Sequence, residues 1–149
     1  MKKNVIFICI HNSARSQMAE AYLRHFASDK FDVWSAGLEP GNLNPVVVKA
    51  MALDGIDISG HTTKSVDEFI DGHIKFDFVV TVCDETAAEA CPFFPGQGER
   101  LHWGFQDPSG LSGTDEEKLS RTIQIRDQIK GKVKGFISYI FSAKQMLSL

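Results

Sequence analysis

The sequence predicts one α/β domain spanning residues 1–149, built on a four-stranded parallel sheet with helices on both faces. Three observations predict it. Two short apolar runs, Asn4–Cys9 and Asp77–Val82, are rich in β-branched residues and suit strands covered on both sides. Other segments place their apolar residues at helical spacing. Strands and helices also alternate along the chain, with no internal repeat, low-complexity tract or linker, the pattern of parallel strands joined by helical crossovers.

Taken in order, the first strand ends at Cys9 and a helix is expected over Ser13–Asp29, with Met18, Tyr22 and Phe26 on one face and Ala19 and Leu23 between them. Phe31–Ala36 alternates like a strand and stops at Gly37. Asn44 is placed to cap a helix opened by Pro45 and running to about Leu53. Thr63–Ile70 is expected to form a short helix with Ser65 and Glu68 as a capping box. The second buried strand leads into Cys83, and Glu85–Ala90 is helix-prone but flanked by breakers. Leu101–Trp103 is expected to add the fourth strand. Thr114 caps a long final helix whose apolar stripe runs Ile125, Ile129, Val133, Phe136 and Ile140, with Gly131 and Gly135 weakening its middle.

The 149 residues are 43% hydrophobic and 10% aromatic, enough for a continuous core and too apolar for disorder. No apolar run approaches the roughly 20 residues of a membrane helix, and the N-terminal run is broken at His11-Asn12-Ser13 before any signal-type cleavage site. A formal net charge of -3 leaves little general attraction for nucleic acid or anionic lipid, so neither is expected as a partner. Three cysteines are an odd number and too few for a disulfide scaffold, which points to a reducing, cytoplasmic setting. A monomer is expected.

In doubly wound folds the site lies at the carboxyl ends of the strands, and Cys9 and Cys83 each end one. Five residues separate Cys9 from Arg15 in Cys9-Ile10-His11-Asn12-Ser13-Ala14-Arg15-Ser16, between a buried strand and a helix start. A loop wrapping into a helix N-terminus gathers backbone N–H groups where the dipole also favours negative charge. Arg15 adds a planar fork for two oxygens of a tetrahedral oxyanion. The same field favours a thiolate at Cys9, making it a nucleophile. The hydroxyls of Ser16 and Ser13 are placed to donate to the sulfur, and Asn12 suits a left-handed backbone position. His11 is assigned no side-chain role. The oxyanion-binding set is therefore the loop from Ile10 through His11, Asn12, Ser13 and Ala14 to Arg15.

The segment Cys9–Glu20 resembles the anion loop of the low-molecular-weight protein tyrosine phosphatase superfamily, and Arg15-Ser16-Gln17-Met18-Ala19-Glu20 is similar to the thioredoxin-coupled arsenate reductases within it. Further matching pieces are Trp34-Ser35-Ala36-Gly37, Asn44-Pro45, Ile56–Thr62, Val79–Cys83 and His102–Pro108, in the order that family shows. The resemblance implies a low-molecular-weight phosphatase-like fold and reduction of arsenate to arsenite. Cys9 would attack arsenic, Cys83 would attack Cys9 as arsenite leaves, and Cys91 would attack Cys83, leaving a disulfide for thioredoxin or a related dithiol protein to reduce. Arg15, Ser16 and Asp107 complete the implied catalytic set, with Asp107, before Pro108, as the general acid. No cofactor is implied.

A helix from Cys83 to Cys91 would hold their Cα atoms about 12 Å apart, whereas a disulfide wants roughly 4.4–6.8 Å. The segment between them must therefore loop out when that bond forms. No metal site is expected: a zinc site from Cys83, Cys91 and His102 has the wrong cysteine spacing and no fourth ligand. Asn12, Glu20 and Ser35 match residues that hold potassium in some reductases, but Lys64 stands near a further acidic ligand's place and argues against a potassium requirement. Two other readings remain open: a phosphatase acting through a phosphocysteine at Cys9, with the other cysteines incidental, and a non-catalytic oxyanion or redox-sensing module. Ser109-Gly110 after Pro108, in place of a lid aromatic, weakens the case for phosphotyrosine.

Overall fold

In a computed structural model, residues 2–83, 96 and 98–147 are described, with side chains described as far as residue 141. Four strands, β1 (Lys3–Cys9), β2 (Phe31–Gly37), β3 (Phe78–Thr81) and β4 (Glu99–His102), form a parallel sheet in the order β2-β1-β3-β4. Among the described residues, three α-helices connect or follow them: α1 (Arg15–Ala27), α2 (Pro45–Leu53) and α3 (Asp115–Leu147).

Strand alternation divides the core in two. Val5, Phe7 and Cys9 of β1 join Phe31 and Val33, Phe78 and Val80 in one cluster, covered by α1, α2 and α3. Ile6 and Ile8 face the other way, against Ala36 and Val79, with Val66, Phe69 and Phe76 as their cover. The helical cover is thus uneven. The stretch expected as a helix over Thr63–Ile70 closes after one 3₁₀ turn, Val66–Glu68. Its capping box forms as expected, with Ser65 N–H donating to Glu68 Oε2 at 2.9 Å and Asp67 N–H to Ser65 Oγ at 3.1 Å. Phe69 and Phe76 are drawn into the sheet face, meeting edge-on at 6.1 Å between ring centroids, and burying both rings ends the helical run.

Other expectations hold closely. Asn44 Oδ1 accepts from Val46 N–H at 2.9 Å ahead of Pro45, and Thr114 Oγ1 accepts from Glu117 N–H at 3.2 Å to open α3. The α3 stripe is real: Ile125, Ile129, Val133 and Phe136 are buried. Phe136 meets Phe78, Trp103 and Phe31 at 5.2, 5.6 and 5.7 Å. Phe26 differs from its expectation. It is 37% exposed and stacks on Tyr22 from outside the core. Glu85–Ala90 and Cys91 lie outside the described residues.

Pairing of neighbouring strands sets the location of the chemistry. Cys9, the last residue of β1, pairs with Gly37, the last of β2. On the other side Ile8 pairs with Thr81, and Val82 N–H donates to Ile8 O at 3.0 Å. Cys9 and Cys83 therefore leave adjacent strands at the same rim.

Candidate functional site at the carboxyl rim

Between β1 and α1 the chain must turn from strand to helix within Ile10–Ala14, and its carbonyls account for the shape it takes. Outside the loop, the 38–44 stretch donates to three of them and to the carbonyl of Cys9: Leu38 N–H to Cys9 O (3.2 Å), Glu39 to Ile10 O (2.8 Å), Gly41 to His11 O (3.0 Å) and Asn44 to Ser13 O (3.0 Å). Gln17 Nε2 donates to Asn12 O at 3.1 Å, and Met18 N–H takes Ala14 O as the first bond of α1. Every carbonyl from Cys9 to Ala14 is thus held. In a trans peptide the N–H points opposite its carbonyl, so the six N–H groups of Ile10 through Arg15 are turned away from these outer donors, toward the inside of the loop. Asn12 N–H shows the result, reaching Cys9 Sγ at 3.1 Å.

Two local features make this geometry possible. Asn12 adopts φ 54°, the left-handed conformation that an asparagine tolerates. Gly37 lies so close beneath the loop that a Cβ there would sit 2.7 Å from Asn12 N and Ile10 O and 2.8 Å from His11 C. The helix that follows has Ala14 at its N-cap and no capping side chain, which leaves its first-turn N–H groups for an external acceptor.

Cys9 is buried at the bottom of the loop, with Ser16 Oγ 2.9 Å from its sulfur. Ser13 contributes through its backbone carbonyl. Arg15, the first residue of α1, is 2% exposed; its Nη1 donates to Phe105 O at 3.1 Å, and its Nη2 lies 3.5 Å from Asp107 Oδ2. Asp107 Oδ1 meanwhile accepts from Ser109 N–H at 2.9 Å, capping the Pro108–Gly110 turn. The guanidinium is anchored in place, and the carboxyl group stands at the edge of the loop with partial solvent access. His11 is exposed and its ring Nδ1 bonds Glu39 O at 2.9 Å. Cys83 is buried at the same rim, with Gly104 against its carbonyl.

Behind the loop is a group of residues to which the sequence reading gave no role or only a comparison. Gln17 is fully buried, and its Nε2 faces Asn12 O, Asn12 Oδ1 and Thr62 O at 3.1, 3.1 and 3.0 Å. Its Oε1 is 3.0 Å from His61 Nδ1. Glu20 is also buried. Ser35 Oγ donates to it at 2.8 Å, and Arg24, Lys64 and His61 stand 3.5, 3.9 and 3.9 Å away. Lys64 does sit beside Glu20, and its ammonium also bonds Thr62 O at 3.1 Å. Burial holds His61 below the ordinary imidazole range; the attraction of Glu20 opposes this, and the Arg24 and Lys64 charges reinforce it. Gln17 and His61 were present in the matching segments, but only their convergence across 44 residues of sequence reveals a joint role.

The comparisons agree with this geometry. The family model described as low molecular weight phosphotyrosine protein phosphatase matches residues 4–146. An arsenate reductase of Halalkalibacterium halodurans is 46% identical over 135 residues, 91% of this chain and 95% of the relative. One from Bacillus subtilis is 44% identical over 90% of this chain and 94% of its own. Among solved structures, an arsenate reductase in its phosphate-binding state superposes with a TM-score of 0.76 at 32% identity, covering 93% of this chain and 98% of that one. A thioredoxin-dependent arsenate reductase of Corynebacterium glutamicum gives 0.67 at 28% identity, over 95% of this chain and 63% of the other. This chain belongs to the low molecular weight phosphotyrosine protein phosphatase family and, within it, to the arsenate reductases.

Proposed function

We propose that this protein reduces arsenate to arsenite by a relay through Cys9, Cys83 and Cys91. The observation that carries the reading is the loop around Cys9: its carbonyls are all bonded away from the interior, while Asn12 N–H and Ser16 Oγ approach the sulfur at 3.1 and 2.9 Å. Such a cradle stabilises both a thiolate and a tetrahedral oxyanion. The N–H groups of Ile10–Arg15 and the Arg15 guanidinium would bind arsenate, or phosphate in its place.

In the first step Cys9 Sγ attacks arsenic(V) and an arsenate oxygen leaves as water, taking its proton from Asp107. Cys83 thiolate then attacks Cys9 Sγ. The sulfur–arsenic bond breaks with its electron pair on arsenic, which departs as arsenite, and a Cys9–Cys83 disulfide remains. Cys91 attacks Cys83, freeing Cys9 and leaving a Cys83–Cys91 disulfide. A dithiol protein of the thioredoxin kind returns both thiols, so two electrons enter and two reach arsenic. Adjacent strand ends bring Cys9 and Cys83 to one rim, which supports the second step. The thioredoxin-dependent relative supports the choice of donor. A reducing, cytoplasmic setting belongs to this reading, because the resting thiols must survive between turnovers.

Cys91→Ser tests the relay. With pre-reduced protein and excess arsenate it is expected to release about one arsenite per chain and then stop with Cys9 held in the Cys9–Cys83 disulfide, while the same reduced variant not exposed to arsenate keeps any hydrolysis of a small aryl phosphate. Sustained arsenite production by that variant in the presence of thioredoxin would remove Cys91 from the mechanism. Phosphate-ester hydrolysis with no arsenite from the wild-type chain would favour the phosphatase reading.

A further inference from the structure

Three backbone groups, of Asn12 in the anion loop and of Thr62 and Lys64 behind it, set the direction of a hydrogen-bond chain that ends on Cys9. Lys64 N–H can only donate, and it donates to Asn12 Oδ1 at 2.9 Å. The other end of that amide, Nδ2, must therefore donate to Ser16 Oγ, 2.8 Å away. Since Ser16 Oγ accepts this bond, its single hydrogen is directed to Cys9 Sγ at 2.9 Å. The carbonyls of Asn12 and Thr62 can only accept, so Gln17 must turn its Nε2 to them. Gln17 Oε1 then faces His61 Nδ1 at 3.0 Å, and His61 is the donor in that bond. The order is His61, Gln17, Asn12, Ser16, Cys9. Each bond donates toward the sulfur.

Given Cys9 as the nucleophile, we propose that Gln17 and His61 are positioning residues that stabilise its thiolate from outside the loop. Gln17 locks the left-handed Asn12 by sharing one Nε2 hydrogen between its backbone carbonyl and its side-chain oxygen, the second hydrogen going to Thr62 O. His61 fills the one acceptor atom of a fully buried amide. Chains of hydrogen bonds aligned head to tail polarise one another, so removing an outer link weakens the last one. His61 serves through its Nδ1–H. The charged groups around it are Glu20 and Arg24 on α1, Lys64 on the facing loop and Asp57 on its own segment.

The test is the rate at which iodoacetamide alkylates Cys9, followed across pH by mass spectrometry of the Cys9 peptide in the otherwise native, reduced chain. Gln17→Met keeps the length of the side chain and removes its bonds. It is expected to move the alkylation midpoint up by about one pH unit, a roughly tenfold slower reaction at pH below both midpoints. His61→Leu removes only the outermost donor and should move it by about 0.5 unit. His61→Asn, whose amide nitrogen can replace Nδ1, should restore the wild-type midpoint. Wild-type midpoints in both Gln17→Met and His61→Leu would overturn the proposal. So would a His61→Asn shift equal to that of His61→Leu, which would mark a packing role. If Gln17→Met does not fold, the two His61 variants decide alone. The functional reading fails separately, through arsenate turnover that survives Cys9→Ser.

Discussion

Gly37→Ala is the substitution whose effect the structure specifies most closely. The added methyl would meet Asn12 N and Ile10 O at 2.7 Å and His11 C at 2.8 Å, all of them backbone atoms of the anion loop. Ordinary contact begins near 3.4 Å, so loop and strand must part by about 0.7 Å. Neither side yields easily. Gly37 N–H donates to Lys64 O at 2.8 Å, and Leu38 and Glu39 bond the loop carbonyls from the same strand end. Overpacking of this kind costs about 1–3 kcal/mol of stability. Because misplacing reacting groups by about 1 Å costs roughly 10²-fold, arsenate reduction should fall by about 10- to 10²-fold in kcat/KM. Gly41→Ala is the control: its methyl meets only the His11 side chain, at an ordinary 3.5 Å. Single-turnover arsenite release, phosphate affinity by calorimetry and thermal melts would be measured for both. The reasoning fails if Gly37→Ala keeps turnover and phosphate affinity within about twofold of wild type, or if Gly41→Ala loses as much.

Three other outcomes are expected. Asp107→Asn should lower kcat for arsenate by about 10²-fold with KM little changed, since the variant keeps a side chain beside Arg15 but cannot supply a proton; an unaltered kcat would assign the proton to another group. Tyr22→Phe removes a hydroxyl that donates to Asp54 Oδ2 at 2.7 Å, and should cost about 1 kcal/mol at neutral pH, or 2–4 °C in Tm. The Tyr22 and Lys130 hydrogen bonds hold the Asp54 carboxyl below the usual carboxylate range. Their contribution is present above about pH 4 and is lost as pH falls through the lowered folded value, so wild-type and variant melts should converge in acid. Gly131→Ala should raise stability by about 0.5–1 kcal/mol, because its methyl meets nothing within 4 Å on α3; a lower Tm would show that the glycine is needed there.

The extent to which the site was legible depended on how local each feature is. The Cys9–Arg15 spacing, the left-handed Asn12 and the Ser16 contact all lie within one turn of chain, and local rules reached them. Asn44 and Thr114 were legible for the same reason, because a cap acts on backbone groups two or three residues away. The Thr63–Ile70 segment was read as a longer helix because its cap and spacing are helical; burial of Phe69 against the second sheet face ended it early. Gly37 belonged to a quoted matching segment, yet nothing nearby in sequence explains it, since the atoms that require a glycine belong to the anion loop at residues 10–12, which follows the neighbouring strand.

By itself the sequence determined the strand–helix alternation, the parallel sheet and the identity of the loop that carries Cys9, because these follow from residue patterning over a few turns of chain. Tertiary structure alone decided the direction in which the loop's amides point and which polar groups feed the sulfur. Those depend on donors at 38–44, Gln17, His61 and Lys64, which reach the loop only once β2 and the 61–64 stretch have packed beside it. A hydrogen bond's polarity is set by what lies at its far end, and here the far ends are up to 52 residues away.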